Sequence, residues 1–167
     1  MTYIGIDPDI DKSGVAWLDS ETRELRMMTF GFADLMDLFD VMSKCDTPPT
    51  VVVEASWLVP HNWHYTPYDT RRKCASLGRA VGRNHQTGIL IAQMAEHYGL
   101  RVTLRKPLTK CWQGKDRKIT QAELEAITGT AGRTNQEMRD AALLAWVEAG
   151  LPIRVKPKKP KVTIIKV

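Results

Sequence analysis

The sequence predicts an α/β domain built on a five-stranded mixed sheet, its first three strands antiparallel and its later strands parallel to the first, with helices on its flanks. Two observations point there. Three short strand-like runs precede any helical pattern, and turn-forming Asp19-Ser20-Glu21 separates the second from the third, which describes an antiparallel meander. Strand-like and helical runs then alternate, and a strand, a helix and a second strand favour parallel pairing through a right-handed crossover.

The first run, Met1 to Asp7, carries Tyr3, Ile4 and Ile6, and Pro8 stops a central strand at the acidic residue. Ser13 to Leu18 and Leu25 to Phe30 are the second and third strands. Asp34 to Met42 sets Leu35, Met36, Leu38, Phe39 and Met42 on one side of a short helix, and Thr47-Pro48-Pro49 ends that segment. Val51-Val52-Val53 makes Thr50 to Glu54 the most strand-like run of all. Residues 55–76 show no period, are rich in Trp, Tyr, His and Pro, and read as a loop too long to be idle. A helix is predicted over Leu77–Tyr98, closed by Gly99, and a fifth strand over Arg101–Leu104. Thr120-x-x-Glu123 and Thr134-x-x-Glu137 read as capping boxes opening two last helices, which end near Gly129 and at Gly150-Leu151-Pro152.

With 167 residues, 43% apolar and 26% charged, the chain has room for one core, taken as residues 1–150, and a basic tail, 151–167. Val162–Val167 is a candidate edge strand within that tail. No run approaches the ~18 apolar residues of a membrane span, and Met1 leads into a strand instead of a signal core, so no membrane role and a cytoplasmic location are expected. Cys45, Cys74 and Cys111 have no C-x-x-C spacing and read as free thiols. His61, His64 and Cys74 lack a fourth zinc ligand at standard spacing. The net charge of +5 is unevenly spread: residues 1–70 hold 4 basic and 12 acidic groups, 71–118 hold 12 and 2, and 151–167 hold 6 and 0. Acids that hold metal ions beside cations that hold phosphates suit a nucleic-acid enzyme, although a solvated basic surface gives the same count.

If the first and fourth strands are parallel neighbours, Asp7 and Glu54 emerge together at the sheet edge where such folds bind ligands. Glu137 and Asp140, three apart on the last helix, project from one face. Four converging acids without interleaved cations repel one another unless divalent ions neutralise them, and such oxygen ligands suit Mg²⁺ or Mn²⁺. Two such ions can clamp the attacking and leaving oxygens of a phosphoryl displacement. Each acid also has a plainer role: Asp7 in a turn, Glu54 at a surface, Glu137 in a capping box with Thr134, Asp140 as an exposed helical charge. Trp57, with Trp63, Tyr65 and Tyr68, suits stacking on an unpaired base, or simply the core. Arg71, Arg72, Lys73, Arg79 and Arg83 follow and suit backbone phosphates.

Ile4-Gly5-Ile6-Asp7-Pro8, then Val51-Val52-Val53-Glu54 with Trp57 three positions on, then Glu137 and Asp140 before Ala141-Ala142-Leu143-Leu144-Ala145, together resemble the RuvC family of Holliday-junction resolvases. The likeness extends to Leu77-Gly78-Arg79 and to Gly114–Ile119, and covers nearly all of residues 1–150. It implies a ribonuclease H-like fold, a homodimer and Mg²⁺-dependent cutting, with Mn²⁺ as a substitute, of two strands of a four-way DNA junction. It further implies that Asp7, Glu54, Glu137 and Asp140 hold two metal ions, that Lys118 steadies a phosphate and Lys115 contacts DNA, and that the helix bearing Gly78, Gly82 and Gly88 forms the dimer contact.

The chain departs from the family at three places. Asp9 stands where the family has glycine after Asp-Pro, Glu137 where it commonly has aspartate, and residues 55–76 are longer and more aromatic. Two rivals stay open: a ribonuclease H-fold nuclease acting on forks, flaps or RNA/DNA hybrid, and a catalytically silent protein that binds branched DNA. An actin-like ATPase is disfavoured, since the chain is short for two lobes around a nucleotide. A branch-migration partner is not legible in the sequence.

Overall fold

The computed structural model describes residues 1–60, 66 and 68–153. Its elements are β1 (Thr2–Asp7), β2 (Ser13–Asp19), β3 (Leu25–Phe30), α1 (Phe32–Ser43), β4 (Thr50–Glu54), α2 (Arg71–His97), β5 (Arg101–Arg105), α3 (Gln121–Thr128) and α4 (Gln136–Glu148), with single 3-10 turns at Ser56–Leu58 and Lys115–Arg117. The strands lie in the order β3-β2-β1-β4-β5. β1 pairs antiparallel with β2, and β2 with β3, whereas β1–β4 and β4–β5 are parallel. This is the mixed sheet expected from the order of the elements.

The alternation of side chains along each strand builds two cores. On one face Ile4, Ile6, Val15, Val51 and Val53 pack with Leu35, Phe39 and Met42 of α1 and Ile91, Ala92 and Ala95 of α2. On the other, Ala16, Leu18 and Leu25 join a cluster with Ile119, Leu124 and the α4 residues Ala141, Ala142, Ala145 and Trp146. α4 lies unusually close to the sheet because two strand residues facing it are glycines. A Cβ at Gly5 would sit 2.1 Å from the Ala141 carbonyl oxygen, and one at Gly14 would sit 2.1 Å from that of Glu137. Asp7 pairs with Gly14 in the sheet, so the same contact that seats the first turn of α4 brings that turn beside the end of β1.

Three local expectations need correction. α2 begins at Arg71, not Leu77, so Arg71, Arg72, Lys73 and Cys74 belong to a helix of 27 residues whose N-cap, Thr70, accepts a hydrogen bond from the Lys73 amide. The residues from Arg71 to Thr87 are exposed or half-buried, and with no face against the sheet they show no apolar period. The stretch between β4 and α2 is consequently residues 55–70 and not 55–76, with a 3-10 turn at Ser56–Leu58. α4 is capped by Asn135, whose side chain accepts from the Met138 amide, in place of a Thr134–Glu137 box. The Thr134 hydroxyl instead donates to Gln121 Oε1. The box at Thr120–Glu123 forms as expected, and α3 ends at Gly129 in the left-handed conformation. No helix among the described residues is long and apolar enough to cross a membrane. His61, Trp63, His64, Tyr65 and the tail beyond Ile153, with its candidate edge strand, lie outside the described residues.

Candidate active site

Asp7 is the last residue of β1 and Glu54 the last of β4, and parallel pairing of those strands carries both carboxylates to one edge of the sheet. Asp140, in the second turn of α4, reaches the same edge. The three acids line one cavity of about 140 Å³ with Leu108, Thr109, Lys110, Trp112, Lys118, Ile119 and Leu143. Glu137 does not line it, and stands beside it as the weakest of the carboxylates acting on Asp7. A larger apolar groove of about 440 Å³, lined by Trp17, Met28 and Phe30 among others, shares no residue with this site.

Withdrawal from water raises the pKa of all three lining acids. Asp7 is held well above the usual carboxylate range by burial first, then by Glu54, Asp140 and Glu137. Burial and Asp140 raise Glu54, against the pull of Lys110 and Lys118. Burial raises Asp140, opposed by a hydrogen bond from Gln136 and by the charges of Lys118, Lys110 and Arg139. Three anions that disfavour one another in a partly desolvated cavity are an oxygen-donor set short of positive charge.

Among the described residues, no three His, Cys, Asp or Glu side chains are drawn close enough to hold a metal ion between them. The donor chemistry itself suits a hard divalent cation: carboxylate oxygens only, no sulfur or imidazole, and a charge deficit that a cation relieves.

Lys118 reaches the cavity from a tight loop. The Gly114 amide donates to the Lys118 carbonyl at 3.0 Å, the Lys118 amide donates to the Lys115 carbonyl at 3.1 Å, and the Trp112 amide to the Arg117 carbonyl at 3.2 Å. Asp116 and Arg117 both take left-handed backbone angles, with φ of 55° and 58°. Non-glycine residues carry strain there, which such loops bear where a side chain must be aimed. Lys115 sits on this loop, exposed. Lys110, which sequence reasoning did not single out, lines the cavity too and acts on Glu54 and Asp140. Its only sequence signal was membership of the basic 71–118 stretch.

Asp9 is accounted for by the turn it builds: its Oδ1 accepts from the amides of Asp11 (2.9 Å) and Lys12 (3.4 Å). Trp57 is half-buried in the 3-10 turn after β4, and its indole occupies the space above Gly88, where an added Cβ would lie 2.5 Å from Cζ3. Gly88 is thus spent on packing within the chain, while Gly82 faces open space. Arg71, Arg72, Lys73, Arg79 and Arg83 are all exposed on the outer half of α2, as is Tyr68 just before it. Cys45, Cys74 and Cys111 are exposed free thiols.

No protein-family profile matches the chain, and no curated sequence does. Solved structures do match. RuvC of Thermus thermophilus superimposes with a TM-score of 0.50 at 17% identity, over 90% of this chain and 98% of that one. The same protein in complex with a Holliday junction substrate gives 0.54 at 19%, over 89% and 92%. The chain has a RuvC-like fold. Fowlpox virus resolvase, in complex with substrate Holliday junction DNA, matches at 0.44 and 11% identity, over 90% of this chain and 97% of that one. The RuvC-like fold agrees with the five-stranded mixed sheet expected from the sequence.

Proposed function

We propose that this protein is a divalent-metal-dependent, structure-selective DNA endonuclease that resolves four-way junctions by paired nicking and works as a homodimer. The observation that supports it best is the shared cavity of Asp7, Glu54 and Asp140 with Lys110 and Lys118, on a RuvC-like fold. Asp7, Glu54 and Asp140, with Glu137 beside Asp7, would hold Mg²⁺ or Mn²⁺, two ions per site. Bound there, the ions supply neutralisation of the carboxylates and Lewis acidity toward a phosphate.

The rest of the work falls to the chain's own groups. Lys118 and Lys110 offer ammonium donors to the non-bridging oxygens of the scissile phosphate, whose charge grows as the bond breaks. The exposed cations of α2, with Lys115, hold flanking backbone phosphates without reading sequence. Trp57 stays a candidate for a base at the branch point, acting from a ring already anchored on Gly88. A two-fold dimer suits a substrate with two-fold symmetry, because each site then meets one strand to be cut. Residues 151–167 add a basic tail that binds phosphates, and residues 1–150 form the nuclease domain.

The test is cleavage of an immobile four-way DNA junction against matched duplex, fork, flap and RNA/DNA hybrid, with wild type and Asp7→Asn in Mg²⁺ and in Mn²⁺. Paired symmetric nicks that vanish in the variant support the reading. Preference for forks, flaps or hybrid replaces the substrate. A second reading, a branched-DNA binder that does not cut, is favoured by the separation of the carboxylates, and tight junction binding without nicks in either metal establishes it.

A further inference from the structure

Asp140 does not stand alone on its helix. Gln136, four residues earlier and therefore on the same face, donates from Nε2 to Asp140 Oδ1 at 2.8 Å. An amide can present either its NH₂ or its oxygen to a neighbour, and what fixes the choice here is Arg139. Its Nη2 donates to Gln136 Oε1 at 2.9 Å, so the oxygen is engaged and the NH₂ must face the carboxylate. The same guanidinium donates from Nε to the Ile119 carbonyl at 3.0 Å, and from Nη1 to the Thr134 carbonyl at 2.9 Å and the Thr134 hydroxyl oxygen at 3.2 Å.

One planar fork therefore joins three things. It holds the backbone immediately after Lys118, the residue just before the N-cap of α4, and the amide that grips Asp140. We infer that Arg139 and Gln136 are positioning residues, a relay that keeps the Asp140 carboxylate in register with the loop carrying Lys118. The inference rests on the proposed nuclease reading for its consequence and on the hydrogen bonds alone for its existence. Neither residue touches the cavity, and a lysine at 139 keeps the charge but cannot span Ile119, Thr134 and Gln136 together.

The experiment compares Gln136→Leu, Arg139→Lys and the double variant in single-turnover junction cleavage and in junction affinity measured without divalent metal. The side-chain amide resonance of Gln136 is followed by NMR in wild type and Arg139→Lys. Each single variant is expected to cut roughly 10- to 100-fold more slowly, in keeping with the cost of a displacement near 1 Å, with junction affinity within twofold of wild type. The double variant should be no slower than the worse single, since both break one link. In wild type the Gln136 amide protons should be shifted and slow to exchange, and in Arg139→Lys they should match a free glutamine. Cleavage within twofold of wild type in Gln136→Leu, equal losses of affinity and rate, or a Gln136 resonance indifferent to Arg139→Lys each overturns the inference. If wild type cuts nothing, the nuclease reading fails on its own account and the resonance alone decides the relay.

Discussion

Replacing Gly14 by alanine tests how closely α4 must approach the sheet. The added Cβ would lie 2.1 Å from the Glu137 carbonyl oxygen and 2.2 Å from its carbon, both backbone atoms with no flexible end to swing aside. Real Cβ contacts begin near 3.0 Å and relax by 3.4 Å, so the first turn of α4 and β2 must part by about 1 Å. Overpacking of this kind costs about 1–3 kcal/mol. In a domain of this length each kcal/mol lowers the melting temperature by about 2–4 °C. The expected drop is therefore roughly 2–12 °C. Because Gly14 pairs with Asp7, the gap opens between Asp7 and the helix bearing Asp140, and an error near 1 Å in a reacting constellation costs about 10²-fold in rate. Junction affinity should hold, since the exposed cations of α2 are untouched. Thermal unfolding and single-turnover cleavage read both effects. A Gly14→Ala protein that melts and cuts like wild type would refute the close seating of α4 as the device that aligns the site.

Asp7, Glu54 and Asp140 have folded pKa values raised above those of the unfolded chain, so the native state binds more protons in that interval. Their contribution therefore favours folding at low pH and is lost as pH rises from about 4, the ordinary carboxylate value, through the raised values. In chelator, Asp7→Asn should melt a few degrees higher than wild type at pH 7 and show a flatter pH dependence of stability above about pH 4, and with Mg²⁺ or Mn²⁺ restored it should fail to cleave; an unchanged profile contradicts the burial of that charge. Saturating Mg²⁺ or Mn²⁺ should raise the wild-type melting temperature, by about 2.7 kcal/mol of stabilisation at 100 times the dissociation constant, and should fail to do so in Asp7→Asn; equal shifts in both place the ions elsewhere. Removing residues 154–167, which carry 6 of the 24 lysines and arginines, should weaken junction binding and reduce the slope of log affinity against log salt. An unchanged slope excludes the tail from phosphate contact.

The sheet was legible in the sequence because each of its signals was local. Val51-Val52-Val53 announced a buried strand, Pro8 marked the end of β1, and the Thr120–Glu123 box and Gly129 bracketed α3. Signals that depended on distant partners misled. Thr134 and Glu137 have the spacing of a capping box, yet the hydroxyl of Thr134 is committed to Gln121, thirteen residues away, and Asn135 takes the cap. The outer half of α2 showed no period because it packs against no sheet face, and hydrophobic periodicity reports only helices that have a core to face. Among the site residues, Asp7, Glu54 and Asp140 were readable as strand-end and helix-face acids. Lys110 sits in irregular chain between β5 and the Lys115 turn, where no period or cap points inward. The relay through Arg139 and Gln136 was equally hidden, since its partners at 119 and 134 converge only in the fold.

The order in which the three lining acids occur along the chain governs when their shared cavity can exist during synthesis. Position 7 leaves the ribosome first, but its partners at 54 and 140 belong to the fourth strand and the last helix. A domain made N-terminal end first can pair β1 with β4 once residue 54 is free, but cannot dock α4 on Gly5 and Gly14 until residues 136–148 have emerged. An early fragment therefore lacks the cavity in which the three acids meet, and on the proposed function an abandoned translation product would have no cutting site.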